Sequence, residues 1–352
     1  MAEQAAPGTI VGGRYELAEF LGQGGMGTVW RARDSVLRRD VVVKEVRLPT
    51  VLNPQEREVA VERSLREARA AALINHPNVI TVYDVVRQDD RPWIVMEYLP
   101  CRTLEQVVDE EGPLAPGRAA TIGLALLKGL QAAHRAGIQH RDVKPSNVLV
   151  RAEDQVVLTD FGIASIAGDR SLTRSGMLVG APGYIAPERA RGESGGPPAD
   201  LWSLGATLYA SVQGRPLFDR GSALATLTAI VTEEVELPAS TGALRPVLQG
   251  LLRRDPDQRI DADRAVTLLR MAIQRSRDAA PDGAETDTES SSPDAESAHD
   301  YQLRSGADGW PTLVDEAATV PADDGETPPA EPSDAHAAKP PVAEPPAEPP
   351  VP

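Results

Sequence analysis

The residues best suited to chemistry are four polar side chains in two short segments: Asp142, Lys144, Asn147 and Asp160. Transferring a phosphoryl group from a nucleotide needs a group that orients the attacking hydroxyl and groups that hold divalent cations. Asp142 can accept or orient the hydroxyl proton, while Asn147 and Asp160 offer hard oxygen ligands. Lys144 can contact the transferred group as a compact positive charge. These residue types are compatible with a phosphoryl-transfer site that binds Mg²⁺, Mn²⁺ being the alternative.

Two strand-like runs are placed to position a nucleotide against these residues. Tyr15–Leu21 and Thr28–Ala32 flank a glycine-rich stretch that contains Gly22, Gly24 and Gly27. Glycine suits a loop over phosphates because a β-carbon would obstruct the approach of the backbone to the phosphate oxygens. A glycine-rich turn also serves dinucleotide sites or simply turns a chain. Its place between two strands, and not between a strand and a helix, favours a hairpin that covers phosphates.

Taken in order, these motifs resemble the Hanks-type, or eukaryotic-like, serine/threonine protein kinases of bacteria. The runs Arg66–Ala71 and Ile94–Tyr98 look especially similar to actinobacterial members. The resemblance covers about residues 11–275 and implies a two-lobed protein kinase fold of the α+β class. A small antiparallel β N-lobe with one main helix is expected at about 11–97, and a larger, mainly helical C-lobe at about 102–275.

The resemblance also implies which residues bind ATP, the co-substrate. Lys44 is expected to contact the α- and β-phosphates and to form an ion pair with Glu67, which lies in a helical pattern over Val59–Ile74. Glu58 and Glu62 share that helix, so the choice of Glu67 rests on the resemblance. The predicted ATP-binding residues are Leu21, Gly22, Gly24, Gly27, Val29, Val42, Lys44, Glu67, Met96 as gatekeeper, and Glu97 and Leu99 in the hinge.

Three further residues are expected to be structural. Glu188, in the run Ala-Pro-Glu, should pair with Arg259, and Asp200 should brace the catalytic loop. Metabolite kinases with a related core commonly lack this part of the chain, so a protein substrate is expected. Lys144, two residues after Asp142, is typical of serine/threonine kinases and not of tyrosine kinases.

The segment before Glu188 holds three hydroxyls predicted to be autophosphorylated: Ser171, Thr173 and Ser175. Arg141 could pair with such a phosphate and order the segment, although these residues could also be ordinary loop hydroxyls. Kinases of this family usually carry threonine after the glycine of the substrate-receiving loop, whereas Ala181 follows Gly180 here. The missing hydroxyl would bond the catalytic aspartate and lysine. Slower or altered substrate phosphorylation is expected, and not an inactive enzyme.

Composition separates a tail, residues 276–352, from the rest of the chain. The tail carries 18 acidic and 3 basic residues, so it holds nearly all of the formal charge of −16. Its acidity argues against nucleic acid and anionic membranes as partners, and its composition predicts disorder, with a polyproline-like end at 328–352. Thr312, in an apolar island, could become a docking site for a phosphothreonine-binding, forkhead-associated domain, or the island could be inert.

The remaining features bear on location and covalent chemistry. No run of 18 apolar residues and no signal-peptide pattern is present, so the protein is expected to be cytoplasmic. Residues 1–10, which precede the region of resemblance, are expected to be a flexible N-terminus. Cys101 is the single cysteine, which excludes an intrachain disulfide and a cysteine metal site. Its place just past the hinge predicts a position near the mouth of the ATP cleft.

Three functions are compatible with these patterns. An active serine/threonine protein kinase is favoured, because Lys44, Asp142 and Asp160 are all present. A pseudokinase-like scaffold that acts through its tail is the alternative, with Ala181 as the one feature in its favour. A small-molecule kinase is disfavoured by Glu188 and the helical region after it. A homodimer through the N-lobe, as in similar bacterial kinases, is also expected.

Overall fold

The computed structural model of the chain describes residues 5–24, 27–48, 52–161 and 182–279, and the strands Gln302–Ser305 and Pro311–Val314. The candidate phosphorylation sites Ser171, Thr173 and Ser175 and the unusual Ala181 lie outside these residues. Within the described part of the chain, no helix combines the length and the apolar composition that crossing a bilayer requires.

Six strands form an antiparallel sheet in the N-lobe, in the order β1-β2-β3-β4-β6-β5. Their bounds are β1 Ile10–Val11, β2 Tyr15–Gly24, β3 Gly27–Asp34, β4 Arg39–Val46, β5 Val82–Gln88 and β6 Arg91–Glu97. The chain before β1 is bonded to the sheet, because the Gly8 N–H donates to the Leu17 carbonyl at 2.7 Å and the Leu17 N–H donates to the Thr9 carbonyl at 2.9 Å. Part of the segment predicted to be flexible is therefore hydrogen bonded.

Strand β4 carries Lys44 on a run that is buried on both sides. Val41 and Val43 pack into a cluster with Trp30, while Val42 packs into a second cluster on the opposite face. Successive side chains of a strand point to opposite faces, so an uninterrupted apolar run indicates a strand covered on both faces. The rigid strand fixes the backbone from which Lys44 extends.

Helix α1, Pro54–Ala71, connects β4 to β5 and carries Glu67. Its start is a capping box: the Asn53 side chain accepts from the Glu56 N–H at 2.9 Å, and the Glu56 carboxylate accepts from the Asn53 N–H at 3.1 Å. Proline at the first helical position is compatible with this start because its missing N–H has no helical partner there. The predicted range of 59–74 was therefore shifted, and the Asn-Pro-Gln-Glu sequence held the signal for the true start.

The C-lobe is mainly helical, as predicted. Its helices are α2 Leu104–Glu111, α3 Pro116–Arg135, α4 Pro187–Ala190, α5 Gly196–Gln213, α6 Ala223–Thr232, α7 Arg245–Leu251 and α8 Ala262–Asp278. Almost the whole of α5 is buried from Ala199 to Val212, so the other helices pack around it. A three-stranded antiparallel sheet, β7-β8-β9, lies under the cleft, with β7 at Arg102–Thr103, β8 at Val148–Val150 and β9 at Val156–Leu158. The two catalytic segments flank this sheet.

The tail contains two structured pieces that the composition did not predict. Helix α8 continues to Asp278, three residues past the expected domain end. Further on, β10 (Gln302–Ser305) pairs antiparallel with β11 (Pro311–Val314), and the register places Thr312 opposite Arg304. For the tail residues outside the described part, disorder stays a prediction.

Candidate active site

The catalytic loop holds Asp142 between two polar neighbours. The Asn147 amide donates to Asp142 Oδ2 at 2.9 Å and to the Asp142 carbonyl at 2.8 Å. Lys144 Nζ lies 3.4 Å from Asp142 Oδ2. A 3₁₀ turn at Pro145–Asn147 brings Asn147 back towards the aspartate. Asp142 and Asn147, which are five positions apart in the sequence, thus close a hydrogen-bonded loop.

The Asp200 carboxylate accepts hydrogen bonds from the backbone of this loop. Its Oδ1 accepts from the Arg141 N–H at 2.7 Å, and its Oδ2 accepts from the His140 N–H at 2.9 Å. His134 Nε2 lies 2.8 Å from the same Oδ2. Burial opposes the charged carboxylate, but the hydrogen bonds from His134 and from the Arg141 N–H hold the pKa of Asp200 below its ordinary value. A charged, buried carboxylate therefore orients the loop.

His140 is a buried, neutral link between the catalytic loop and the Asp-Phe-Gly segment. Its Nε2 lies 2.7 Å from the Thr159 carbonyl, and its Nδ1 lies 3.2 Å from the Asp142 N–H. These partners define the tautomer, since Nε2 must donate and Nδ1 must accept. Burial lowers the pKa of His140, which agrees with a neutral ring. The ring also packs on Phe161 with centroids 4.5 Å apart, as structural support.

Lys44 and Asp160 form a nearly buried ion pair. Lys44 Nζ lies 2.6 Å from Asp160 Oδ2, and the two side chains are 6% and 11% exposed. Asp160 has a φ of +65°, a left-handed conformation that is strained for a residue with a β-carbon. Its other oxygen, Oδ1, is buried without a hydrogen-bond partner among the described residues. An orphaned carboxylate oxygen of Asp160, together with the side-chain oxygen of Asn147, is a donor set whose chemistry fits Mg²⁺ or Mn²⁺.

The predicted ion pair between Lys44 and Glu67 is not present. Glu67 Oε1 instead lies 3.1 Å from Arg63 Nε and 3.5 Å from Arg141 Nη1. Two guanidinium groups thus share the Glu67 carboxylate, one of them a single turn away on the same helix, while Asp160 pairs with the lysine. The wrong prediction has a physical cause: the sequence identifies the charged groups but not which carboxylate lies closest to each cation.

The predicted adenine-side residues belong to one apolar cluster that joins both lobes. Leu21, Val29, Val42, Met96 and Leu99 pack there, along with Leu149 and Val157 from the small sheet below. The hinge begins at Glu97, which pairs with Thr81: the Thr81 N–H donates to Glu97 Oε1 at 2.7 Å, and the Glu97 N–H donates to the Thr81 carbonyl at 3.0 Å. The cluster provides an apolar surface suited to a flat heterocycle.

The glycine-rich stretch is a hairpin between β2 and β3, as predicted. The register pairs Gly22 with Val29 and Gly24 with Gly27. Gly27 has a φ of +152°, and a β-carbon there would lie 1.8 Å from the Glu45 carbonyl oxygen. Glycine is therefore required at position 27 by its neighbour across the sheet, in addition to any need for access to a phosphate.

Glu188 and Arg259 form a buried, two-pronged ion pair. Arg259 donates to the two Glu188 carboxylate oxygens at 2.7 and 2.9 Å, and the side chains are 0% and 3% exposed for Arg259 and Glu188. Arg259 also donates to the carbonyls of Pro198 (2.6 Å) and Arg253 (3.0 Å) and lies over the ring of Trp202. The chain after the candidate phosphorylation segment is thus fixed to the C-lobe.

Sequence reasoning missed two residues and misplaced a third. His134 and Arg189 both contact the anchoring system of the catalytic loop: His134 binds Asp200, and the Arg189 guanidinium donates to the Arg141 carbonyl. Neither position carries a distinctive sequence signal. Cys101 is not at the mouth of the cleft but 1% exposed in the apolar cluster, where burial raises the pKa of its thiol to about 12.

Comparison with known proteins agrees with this geometry. The family model described as the protein kinase domain matches residues 15–268. A probable serine/threonine-protein kinase of Streptomyces coelicolor is 36% identical over 285 residues, which cover 78% of this chain and 41% of that protein. The kinase PknB of Mycolicibacterium smegmatis is 37% identical over 279 residues (76% and 44%), and PknB of Mycobacterium tuberculosis is 37% identical over 257 residues (70% and 40%).

The chain spans less than half the length of these relatives. The family match includes both catalytic segments, the glycine-rich hairpin and the buried Glu188–Arg259 pair. The order of these elements, their geometry and the extent of the match lead to one assignment. The chain belongs to the protein kinase family, in its bacterial Hanks-type branch.

Proposed function

We propose that this chain is an ATP-dependent serine/threonine protein kinase. The observation that carries the proposal is the arrangement around Asp142, with Asn147 at 2.9 Å and Lys144 at 3.4 Å from Oδ2. The relatives at 36–37% identity are named as serine/threonine-protein kinases, which supports the same substrate class. Asp142 and Lys144 both lie in a loop anchored to the protein core by Asp200.

In the proposed reaction, a serine or threonine hydroxyl oxygen attacks the γ-phosphorus of ATP. The bond from that phosphorus to its bridging oxygen breaks, ADP leaves, and the hydroxyl proton passes to Asp142. Lys44 and Lys144 supply positive charge at the phosphates, so the residues act by positioning and electrostatics without a covalent enzyme intermediate. Asn147 and Asp160 would hold Mg²⁺, or Mn²⁺, which when bound neutralises charge on the phosphates.

The test is incubation of the purified chain with Mg-ATP and a generic protein substrate, beside an Asp142→Asn variant. Phosphate on serine or threonine in the wild type alone supports the proposal. Transfer to a metabolite but never to protein would point to a small-molecule kinase. ATP binding without any transfer would favour the pseudokinase-like scaffold.

Autophosphorylation of the segment before Glu188 is part of the proposal, with Thr173 and Ser175 as the leading sites and Ser171 as a third. The side chain of Arg141 is 30% exposed, so its guanidinium is accessible to a phosphate. Phosphorylation of the segment would add about two negative charges, which could pair with the Arg141 guanidinium that now contacts Glu67. Unmodified peptides from active enzyme, seen by mass spectrometry, would contradict this part.

Two partners beyond the substrate are proposed. A forkhead-associated domain would bind phosphorylated Thr312, and its absence from pull-downs with a phosphopeptide of residues 306–318 would exclude it.

A second copy of the chain would pack on the N-lobe, where Val36 and Leu37 are 67% and 56% exposed in the β3–β4 turn. Leu37→Glu should then shift a dimer to monomer in analytical ultracentrifugation. Cytoplasmic location stays a prediction for cell fractionation to check.

A further inference from the structure

The backbone of Arg141 is held through both its N–H and its carbonyl, and the carbonyl belongs to the peptide that joins Arg141 to Asp142. Arg141 has a φ of +67°, a left-handed conformation that residues with a β-carbon avoid because it crowds the following carbonyl. Its N–H donates to Asp200 Oδ1 at 2.7 Å, and its carbonyl accepts a hydrogen bond from the guanidinium of Arg189. The carbonyl side of this peptide leads directly into Asp142. The direction of the carbonyl therefore sets the direction from which the aspartate side chain starts.

Arg189 reaches this carbonyl from a different part of the chain. It follows Glu188 in helix α4, and Glu188 is fixed to the C-lobe by its buried pair with Arg259. A charged donor bonded to a neutral carbonyl makes a stronger hydrogen bond than a neutral donor would. The bond thus links the end of the candidate phosphorylation segment to the catalytic loop, across 48 residues of sequence.

The Arg189 side chain packs closely against a glycine. A β-carbon on Gly195 would lie 2.4 Å from the Ala199 β-carbon and 2.9 Å from Arg189 Cγ. Gly195 has a φ of −75° and a ψ of −20°, an ordinary conformation that any residue can adopt. Its backbone does not require glycine, whereas the lack of space beside Ala199 and the Arg189 stem does. The stem of Arg189 is therefore one of two close neighbours that confine this position to glycine.

We infer that Arg189 is a positioning residue for Asp142. Its guanidinium holds the Arg141 carbonyl, and with it the left-handed turn that aims the aspartate at the attacking hydroxyl. This role rests on the proposed function, because it assigns a purpose to the geometry of Asp142. Loss of the bond leaves the nucleotide cluster and the Glu188–Arg259 pair in place. The peptide before Asp142 then keeps only the contact of its N–H with His140 Nδ1 at 3.2 Å, among the described residues, and gains freedom to rotate. Phosphoryl transfer depends on such alignment.

The kinetic test compares Arg189→Met and Arg189→Lys in the full chain. Arg189→Met should lower kcat between about tenfold and a hundredfold, with KM for ATP unchanged, since misalignment affects the transition state and not nucleotide binding. Arg189→Lys should recover most of the rate, because its ammonium still donates to a carbonyl. Arg191→Met is the matched control: Arg191 lies two residues on, is 39% exposed and has only a distant partner, Glu193, at 4.0 Å.

A second measurement keeps the inference testable without activity. Hydrogen exchange at the amides of Arg141 and Asp142 should be about tenfold faster in Arg189→Met than in wild type or Arg191→Met, with strands β8 and β9 unchanged. Equal exchange and equal kcat in the methionine variant would overturn the role of Arg189. A parallel loss of kcat and ATP affinity, with β8 and β9 also exchanging faster, would overturn it too. A wild type that transfers no phosphate refutes the proposed function instead, and the exchange result then decides the positioning role alone.

Discussion

Arg259→Met should be among the most destabilising single substitutions in the C-lobe. The change leaves the Glu188 carboxylate, 3% exposed, without its two hydrogen bonds, and it removes the donor from the carbonyls of Pro198 and Arg253. Breaking a buried ion pair from one side costs about 3–5 kcal/mol, and each stranded carbonyl adds about 1 kcal/mol. The total, about 5 kcal/mol or more, is comparable to the whole stability of a marginal domain.

The assay is urea unfolding, followed by tryptophan fluorescence and far-UV circular dichroism. Coincident transitions are required before a free energy of unfolding is assigned, since two lobes can unfold separately. The buried Trp202 lies under the Arg259 guanidinium, so fluorescence reports on the site directly. Arg220→Met is the matched control, because Arg220 also pairs with a carboxylate, Glu233, but the two side chains are 46% and 43% exposed. It should cause no measurable loss.

The double variant Glu188→Met, Arg259→Met separates charge burial from packing. Two apolar side chains of similar length leave no unpaired charge. The carbonyls of Pro198 and Arg253 remain without this donor, at a cost of about 2 kcal/mol, and the Arg254 carbonyl loses a weaker bond of 3.5 Å. The double variant should therefore be more stable than Arg259→Met by about 3 kcal/mol. A single variant as stable as the double, or no less stable than Arg220→Met, would refute the reasoning.

Three further predictions concern the active region. Ala181→Thr should raise the kcat for a protein substrate up to about tenfold, because the family resemblance implies that a threonine hydroxyl at this position bonds the catalytic aspartate; an unchanged kcat would count against this. The free energy of unfolding should fall as the pH drops below about 6.5, by up to about 1.4 kcal/mol per unit, because the pKa of His140 is lowered in the folded state and the unfolded chain binds the extra proton. A His140→Gln variant should show a shallower slope in urea titrations at several pH values. Asn53→Ala should cost about 1 kcal/mol of stability through loss of the capping box, measurable by the same titration.

Much of the fold and of the site could be predicted from the sequence, for reasons tied to spacing. The catalytic loop, the glycine hairpin and the partnership of Glu188 with Arg259 depend on fixed positions in a familiar order. The ion pair of Lys44 could not be predicted in the same way. The sequence offers several carboxylates as partners for Lys44, and its pairing with Asp160 depends on distances that spacing does not encode. The energy of an ion pair depends on the distance between the charges, and tertiary packing fixes that distance.

Other misses have different physical causes. Arg189 donates to a carbonyl 48 residues away in sequence, and an arginine in a helix gives no sequence signal of such a contact. The start of α1 was predictable in principle, because the capping box around Asn53 is a local signal. The pairing of β10 with β11 was not predicted, because the average composition of the tail is acidic and proline-rich and two four-residue strands change that average little.

The burial of Cys101 has a practical consequence for measuring motion. Its thiol is 1% exposed and its raised pKa of about 12 keeps it protonated at neutral pH, so it does not compete for thiol-reactive probes. A cysteine introduced at an exposed position such as Val36 or Leu224 becomes the single labelling site without removal of the native one. Pairs of such labels on the two lobes would let single-molecule fluorescence follow cleft opening in a chain that keeps its natural core.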